Sequence, residues 1–114
     1  DDAIPYWDYD APVTKETPRD VSAASVTASA MIELSTMVPD GQKYLDYAEK
    51  ILKSLSSDAY LAKVGDNQGF ILMHSVGSLP NGSEIDTPLN YADYYYLEAL
   101  KRFMDLKGIN YKDI

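Results

Sequence analysis

Hydrophobic residues recur at helical spacing in three stretches of the chain, and these stretches predict three helices. The predicted helices span residues 20–38, 41–55 and 88–107. The first helix carries two apolar stripes, the second a single stripe, and the third is apolar on two sides in its first half. A helix that is apolar on two sides is covered on two sides, so the pattern predicts a buried helix, a surface helix and another buried helix. Alone, the two buried helices would each leave apolar surface exposed.

The ends of these helices carry capping signals. Asp20 and Asp40 are candidate N-caps of the first two helices. Thr87 is the candidate N-cap of the third, and Pro88 would then occupy its first position. Gly108, just after the last apolar position, is a candidate C-terminal glycine.

The segments between the helices have a different character. Residues 1–19 contain several prolines and little periodicity, which predicts an extended segment that lies on the helices. Residues 70–73 form a brief apolar run, either one strand of a small hairpin or a buried crossing segment. A polar loop that begins at His74 then leads into the third helix, and such a loop is a suitable place for a binding site.

Composition narrows the functional classes. The chain has 114 residues, a formal charge of −8 and no cysteine. Without a basic patch it is not expected to bind nucleic acid, and no apolar run approaches the roughly 20 residues needed to cross a bilayer. Without cysteine it holds neither disulfides nor a thiolate metal site. The first residues lack the features of a signal peptide and read as the middle of a protein.

Few residues suggest chemistry directly. Asp8 and Asp10 lack the glycine and the bidentate acid of a calcium loop, so no metal site is predicted. Trp7 could stack on a sugar ring or be buried against a neighbouring helix. His74 is the only histidine; a binding role and a structural role are equally open to it, and the sequence shows no partner that would make it a general base.

Four segments, in order, resemble the C-terminal part of the unsaturated glucuronyl hydrolases, glycoside hydrolase family 88. They are IPYWDYDAP, PRDVSAASVTASAMIELS, YLDYAEKILKSLSS and HSVGSLPNGSEIDTPLNYADYYYLEAL. The resemblance implies an all-α fold in which residues 1–114 supply the last three helices, inner, outer and inner, of an (α/α)6 toroid, with a loop or short hairpin before the last helix. It implies no cofactor and leaves periplasm and cytoplasm equally open.

The resemblance also implies a reaction. Enzymes of this family remove the 4,5-unsaturated uronic acid that polysaccharide lyases leave on oligosaccharides. An aspartic acid protonates the vinyl ether and activates water, and the resulting hemiketal collapses. The family's catalytic aspartates match no position here, so no catalytic residue is assigned to this chain, and the chain alone is expected to be inactive. Asp86 and Asp93 are expected to serve helix ends and hydrogen bonding between helices.

The resemblance places the substrate-binding residues on the loop after His74. Ser78 matches the first serine of a sulfate-binding set in some family members, whereas Asn81 and Ser83 replace a second serine and a lysine. Because the lysine is missing, a strong preference for sulfate is not implied. The expected substrate-binding residues are thus His74, Ser78, Asn81 and Ser83, together with Trp7.

Two other functions compete with this interpretation. The chain could be a free-standing carbohydrate-binding module whose platform is formed by tyrosines and the His74 loop. It could also be a helical interaction module that associates with itself or with another protein through the exposed apolar faces of its helices.

Overall fold

The structure is a computed structural model that describes residues 2–10, 12–77 and 85–110. Its three α-helices are α1 (Val21–Ser35), α2 (Gln42–Leu55) and α3 (Asn90–Lys107). A short 3-10 turn at Asn67–Gly69 lies between α2 and α3. The predicted helix order is therefore confirmed, although α1 ends before the predicted Val38 and α3 begins after the predicted Pro88.

Two of the predicted capping residues are correct. Asp20 is the N-cap of α1, and its carboxylate accepts a hydrogen bond from the Ser22 N–H at 3.0 Å. Gly108 ends α3 in the left-handed conformation, with φ of 71°. A glycine adopts this conformation with little strain because it has no Cβ.

The other two predicted capping residues are wrong. Asp40 pairs with Lys43 at 2.7 Å, and Gly41 is the N-cap of α2 without a side-chain hydrogen bond. Thr87 is not a cap because its backbone N–H and C=O both pair with Ser75, which keeps Thr87 extended. Helix α3 consequently begins at Asn90, with Leu89 in the N-cap position.

Helix α1 lies at the centre and packs against both α2 and α3, which contact each other only weakly. Small buried residues make these contacts possible, since alanines let two helix backbones approach closely. The buried alanines are Ala24 and Ala28 on α1, Ala48 on α2, and Ala92 and Ala99 on α3. Larger buried side chains such as Ile51, Leu55 and Leu72 complete the core.

A polar contact also joins α1 to α3. Ser29 is 1% exposed and donates its hydroxyl to Glu98 at 2.5 Å. Arg102 donates to the Ser29 carbonyl at 3.0 Å and pairs with Glu33 at 3.2 Å. The buried Ser29 hydroxyl is therefore satisfied, and the two helices are fixed in register as well as in distance.

The second apolar stripes of α1 and α3 are exposed in the described part of the chain. Leu34 on α1 is 38% exposed, and Met37, which lies just after the end of α1, is 67% exposed. On α3, Tyr94 and Leu97 are 60% and 52% exposed. This agrees with the expectation that both helices leave apolar surface uncovered when the chain stands alone. Within the described ranges, no helix is both long enough and apolar enough to cross a membrane.

Two isolated bridges organise the segment between α2 and α3. Leu61 pairs with Leu72, and Ser75 pairs with Thr87. Leu72 is fully buried. The apolar run at residues 70–73 is thus a buried crossing segment that makes a single bridge rather than a strand of a regular hairpin.

The corner between α1 and α2 depends on Gly41. A Cβ at this position would lie 1.8 Å from the carbonyl oxygen of Ser35. We therefore expect Gly41→Ala to lower the free energy of unfolding by about 3 kcal/mol, because the clash is with backbone and forces the corner apart. Urea unfolding measures this loss.

Gly65→Ala is the matched control. Gly65 has φ of +91°, and no atom of the described residues would lie within 4 Å of a Cβ there, so only the left-handed conformation is penalised, by about 1 kcal/mol. If both variants lost the same free energy of unfolding, the clash with Ser35 would not be the cause of the loss in Gly41→Ala.

Candidate functional site

The segment that carries His74 is attached to the N-terminal end of α1. The Val21 N–H donates to the His74 carbonyl at 3.0 Å. The Asp20 carboxylate, besides capping α1, accepts the Val76 N–H at 3.2 Å. Because both bonds come from the first residues of one helix, the position of His74 is fixed relative to α1.

Helix α3 holds the same segment from the other side. The two carboxylate oxygens of Asp93 accept the backbone N–H groups of Ile71 and Leu72, each at 2.9 Å. Hydrogen bonds to an ionised group are stronger than neutral ones. Asp93, expected to bond between helices, instead bonds the crossing segment to the first turn of α3.

His74 and Asp86 lie opposite each other at the base of the loop, where residues 74–75 face residues 86–87; this region is called the neck of the loop. Their backbones are both left-handed, with φ of 71° and 49°, a conformation that is uncommon outside glycine. His74 Nδ1 lies 2.5 Å from Asp86 Oδ1. Two backbone hydrogen bonds between Ser75 and Thr87, at 3.0 and 3.1 Å, close the neck beside this pair. The structure thus supplies the partner of His74 that the sequence did not show.

A cavity of about 540 Å³ borders this pair. Its charged lining residues are two cations and two acids: Lys15, Arg19, Glu16 and Asp86. Tyr60 and His74 also line it, and their rings contact edge to face with centroids 6.1 Å apart. A cavity with aromatic walls and several hydrogen-bonding groups is chemically suited to a hydroxyl-rich ligand.

The N-terminal segment is held against this cavity by Asp2. The Asp2 carboxylate pairs with Arg19 at 2.8 Å and accepts the Tyr60 hydroxyl at 2.6 Å. The Asp2 carbonyl accepts the hydroxyl of Ser54, near the end of α2. The Arg19 guanidinium also stacks 4.3 Å from the centre of the Tyr6 ring. Since its members are distant in sequence, no local pattern indicated this network.

The network shifts two pKa values. Burial, followed by the hydrogen bond to Asp2, raises the pKa of Tyr60 to about 12. Burial works to raise the pKa of Asp2, but hydrogen bonds from Tyr60, from the Ile4 N–H and from Arg19 outweigh it and lower that pKa. Tyr60 therefore remains a neutral donor well above physiological pH.

The predicted substrate-binding residues have different outcomes. His74 lines the cavity and is half exposed. Trp7 is half-buried and is not among the lining residues; its backbone N–H donates to the Pro18 carbonyl at 3.0 Å. Ser78, Asn81 and Ser83 lie outside the described residues. The binding roles of all five stay predictions. The described part of the chain contains no cluster of three or more acidic or histidine side chains that could hold a metal.

Comparison with known proteins gives a consistent result. No family model matches the chain. The unsaturated glucuronyl hydrolase of Formosa agariphila is 49% identical over 105 residues, which are 92% of this chain and 26% of that protein. That of Bacillus sp. strain GL1 is 31% identical over 90% of this chain. The chain thus spans about a quarter of the length of these relatives.

The solved structures agree with these relatives. An unsaturated glucuronyl hydrolase described as specific for heparin superposes with a TM-score of 0.92 at 66% identity, covering 95% of this chain and 29% of that one. A variant from Streptococcus agalactiae, complexed with dGlcA-GalNAc6S, gives a TM-score of 0.81 at 31% identity, with 90% of this chain and 28% of that chain covered.

These likenesses define the class of fold: the three helices correspond to part of the helical toroid seen in the structures of unsaturated glucuronyl hydrolases. Coverage of about 29% fits the predicted C-terminal portion. The chain belongs to the unsaturated glucuronyl hydrolase family.

The two backbone hydrogen bonds that Asp93 accepts, called here the Asp93 clamp, predict that loss of this side chain lowers stability. Asp93→Ala removes the acceptor of two backbone N–H groups, so we expect the free energy of unfolding to fall by about 2 kcal/mol. Amide hydrogen exchange at Ile71 and Leu72 should accelerate. Asp105→Ala on the same helix is the control, since its pair with Lys101 is exposed and is worth below about 0.5 kcal/mol. Unchanged exchange in Asp93→Ala would contradict the clamp.

The raised pKa of Tyr60 predicts a loss of stability at alkaline pH. The folded-state pKa is about 12, above the ordinary 10.0. The contribution of Tyr60 is therefore complete below about pH 10 and is lost as the pH rises towards about 12. In Asp2→Asn the pKa of Tyr60 should fall but stay above the ordinary value, because burial remains. NMR titration of the tyrosine ring carbons measures both values, and an unchanged titration in Asp2→Asn would exclude Asp2 as a cause.

Proposed function

We propose that the protein containing this chain removes the 4,5-unsaturated uronic acid from lyase-generated oligosaccharides. The observation that carries this proposal is the likeness to a heparin-specific unsaturated glucuronyl hydrolase, at 66% identity and a TM-score of 0.92 over 95% of the chain. At this coverage the likeness is not confined to the three helices, which supports extending the proposal to the segments between them.

In this proposal the chain supplies scaffold and a substrate-binding wall. Asp93 fixes the crossing segment to α3, Asp20 fixes Val76 to the start of α1, and His74 borders a cavity of about 540 Å³. The catalytic aspartates belong to a portion of the protein outside these residues. There, an aspartic acid protonates the vinyl ether and directs water to the double bond, and the hemiketal so formed releases the remaining sugar.

The proposed substrate class is an unsaturated disaccharide derived from heparin. The structure described as heparin-specific is 66% identical to this chain. The unsaturated chondroitin disaccharide hydrolase of Streptococcus pyogenes is 32% identical. Because residues in a site wall discriminate between neighbouring sugars, higher identity in this portion favours the heparin-type substrate.

An interaction module would also expose apolar helix faces. Tyr94 and Leu97 on α3 and Leu34 on α1 are exposed, and self-association of the isolated chain through such residues stays a prediction. The toroid accounts for the same surface, because its remaining helices would cover it. It also accounts for the sequence likeness, which an interaction module does not.

The test is the loss of ultraviolet absorbance of the unsaturated uronate. We expect the full-length protein to consume heparin-derived disaccharides with a kcat/KM at least about tenfold above that for chondroitin-derived ones, a difference of about 1.4 kcal/mol. The isolated 114-residue chain is the negative control and should leave both unchanged. Absence of turnover by the full-length protein would overturn the reaction, and a preference for chondroitin would overturn only the substrate class.

A further inference from the structure

The hydrogen bond between His74 and Asp86 defines the tautomer of the histidine. An ionised carboxylate only accepts hydrogen bonds, and Asp86 Oδ1 lies 2.5 Å from His74 Nδ1. The proton between them must therefore belong to Nδ1. In the neutral imidazole, Nε2 then carries a lone pair and accepts a hydrogen bond.

The unused nitrogen is available to a ligand. Among the described residues, no group hydrogen-bonds Nε2, and the His74 side chain is 43% exposed. The His74 ring lines the cavity of about 540 Å³. The Tyr60 ring contacts the His74 ring edge to face and supports one side of it. A hydrogen-bond acceptor beside a cavity is suited to a group that donates, such as a sugar hydroxyl.

The backbone is arranged so that this pair can form. Both His74 and Asp86 are left-handed, a conformation that is unfavourable for a residue with a side chain. The bonds from Val21 to the His74 carbonyl and between Ser75 and Thr87 hold both ends of the neck. Local strain held in place by surrounding bonds is a feature of functional sites.

We propose that Asp86 is a positioning residue, which holds His74 as the Nδ1–H tautomer so that Nε2 accepts a hydrogen bond from a hydroxyl of the bound sugar. The identity of the sugar rests on the proposed function; the tautomer does not. Asp86 itself need not contact the ligand, since it acts through the imidazole.

The first experiment measures the tautomer directly. The full-length protein is labelled with ¹⁵N-histidine, and His74 is assigned by comparison with His74→Gln. At a pH at which the two ring ¹⁵N shifts show that the imidazole is neutral, long-range ¹H–¹⁵N correlations should show the Nδ1–H form. Asp86→Ala should shift His74 to the Nε2–H form, whereas Asp86→Asn, whose amide oxygen still accepts, should retain much of the Nδ1–H form. A wild-type Nε2–H form would overturn the proposal.

The second experiment measures the consequence for the ligand, with the heparin-derived unsaturated disaccharide as the probe. Loss of one neutral hydrogen bond predicts a rise in KM of about 3- to 10-fold in Asp86→Ala, with kcat changed by less than about twofold because the contact is made equally in ground and transition states. His74→Gln/Asp86→Ala should be no worse than His74→Gln alone, since both act through one group. Asp58→Ala, an exposed aspartate that does not line the cavity, is the matched control.

The outcomes separate the two proposals. If the increases in KM caused by His74→Gln and Asp86→Ala multiply in the double variant, the proposed contact between Nε2 and the sugar is wrong. An unchanged KM in Asp86→Ala, despite a changed tautomer, would overturn the contact as well. If the full-length protein turns over no unsaturated disaccharide, the proposed function fails, and the tautomer measurement still decides the role of Asp86. Circular dichroism of each variant confirms that the helices are intact.

Discussion

The carboxylate of Asp20 connects the fold to the site. It caps α1 through the Ser22 N–H at 3.0 Å and the Ser22 hydroxyl at 2.6 Å, and it accepts the Val76 N–H at 3.2 Å. One side chain therefore both starts the central helix and holds the segment that carries His74. A change that disturbs the beginning of α1 must also move the wall of the cavity, because the two share this group.

Small buried residues allow α3, which carries Asp93, to lie close to α1. Ala28 on α1 and Ala92 and Ala99 on α3 are fully buried, so the two helices approach closely. Because Ser29, eight residues into α1, bonds Glu98, eight residues into α3, the first turn of α3 with Asp93 lies beside the first residues of α1. The stretch from residue 71 to residue 76 is then held from two helices at once, by Asp93 at Ile71 and Leu72 and by Asp20 at Val76.

The sequence predicted most of what depends on neighbouring residues, apart from the Asp40 cap, and missed what depends on distant ones. The three helices, the Asp20 cap and the Gly108 end follow from local periodicity and local hydrogen bonding. The expected Thr87 cap was wrong because a partner twelve residues away, Ser75, takes both of its backbone groups. The His74–Asp86 pair was missed for the same reason, since it requires two left-handed residues on opposite sides of a loop.

The described contacts divide the requirements of this chain into two kinds. The groups that fix the backbone of His74 and its neighbours all lie within the chain: Asp20, Val21, Thr87 and Asp93. The apolar stripes with Leu34 on α1 and Leu97 on α3, by contrast, have no cover among the described residues. The geometry around His74 is therefore determined by residues of this chain, whereas burial of the two inner helices calls for surface from elsewhere. A toroid completed by further helices meets that second requirement without altering the first.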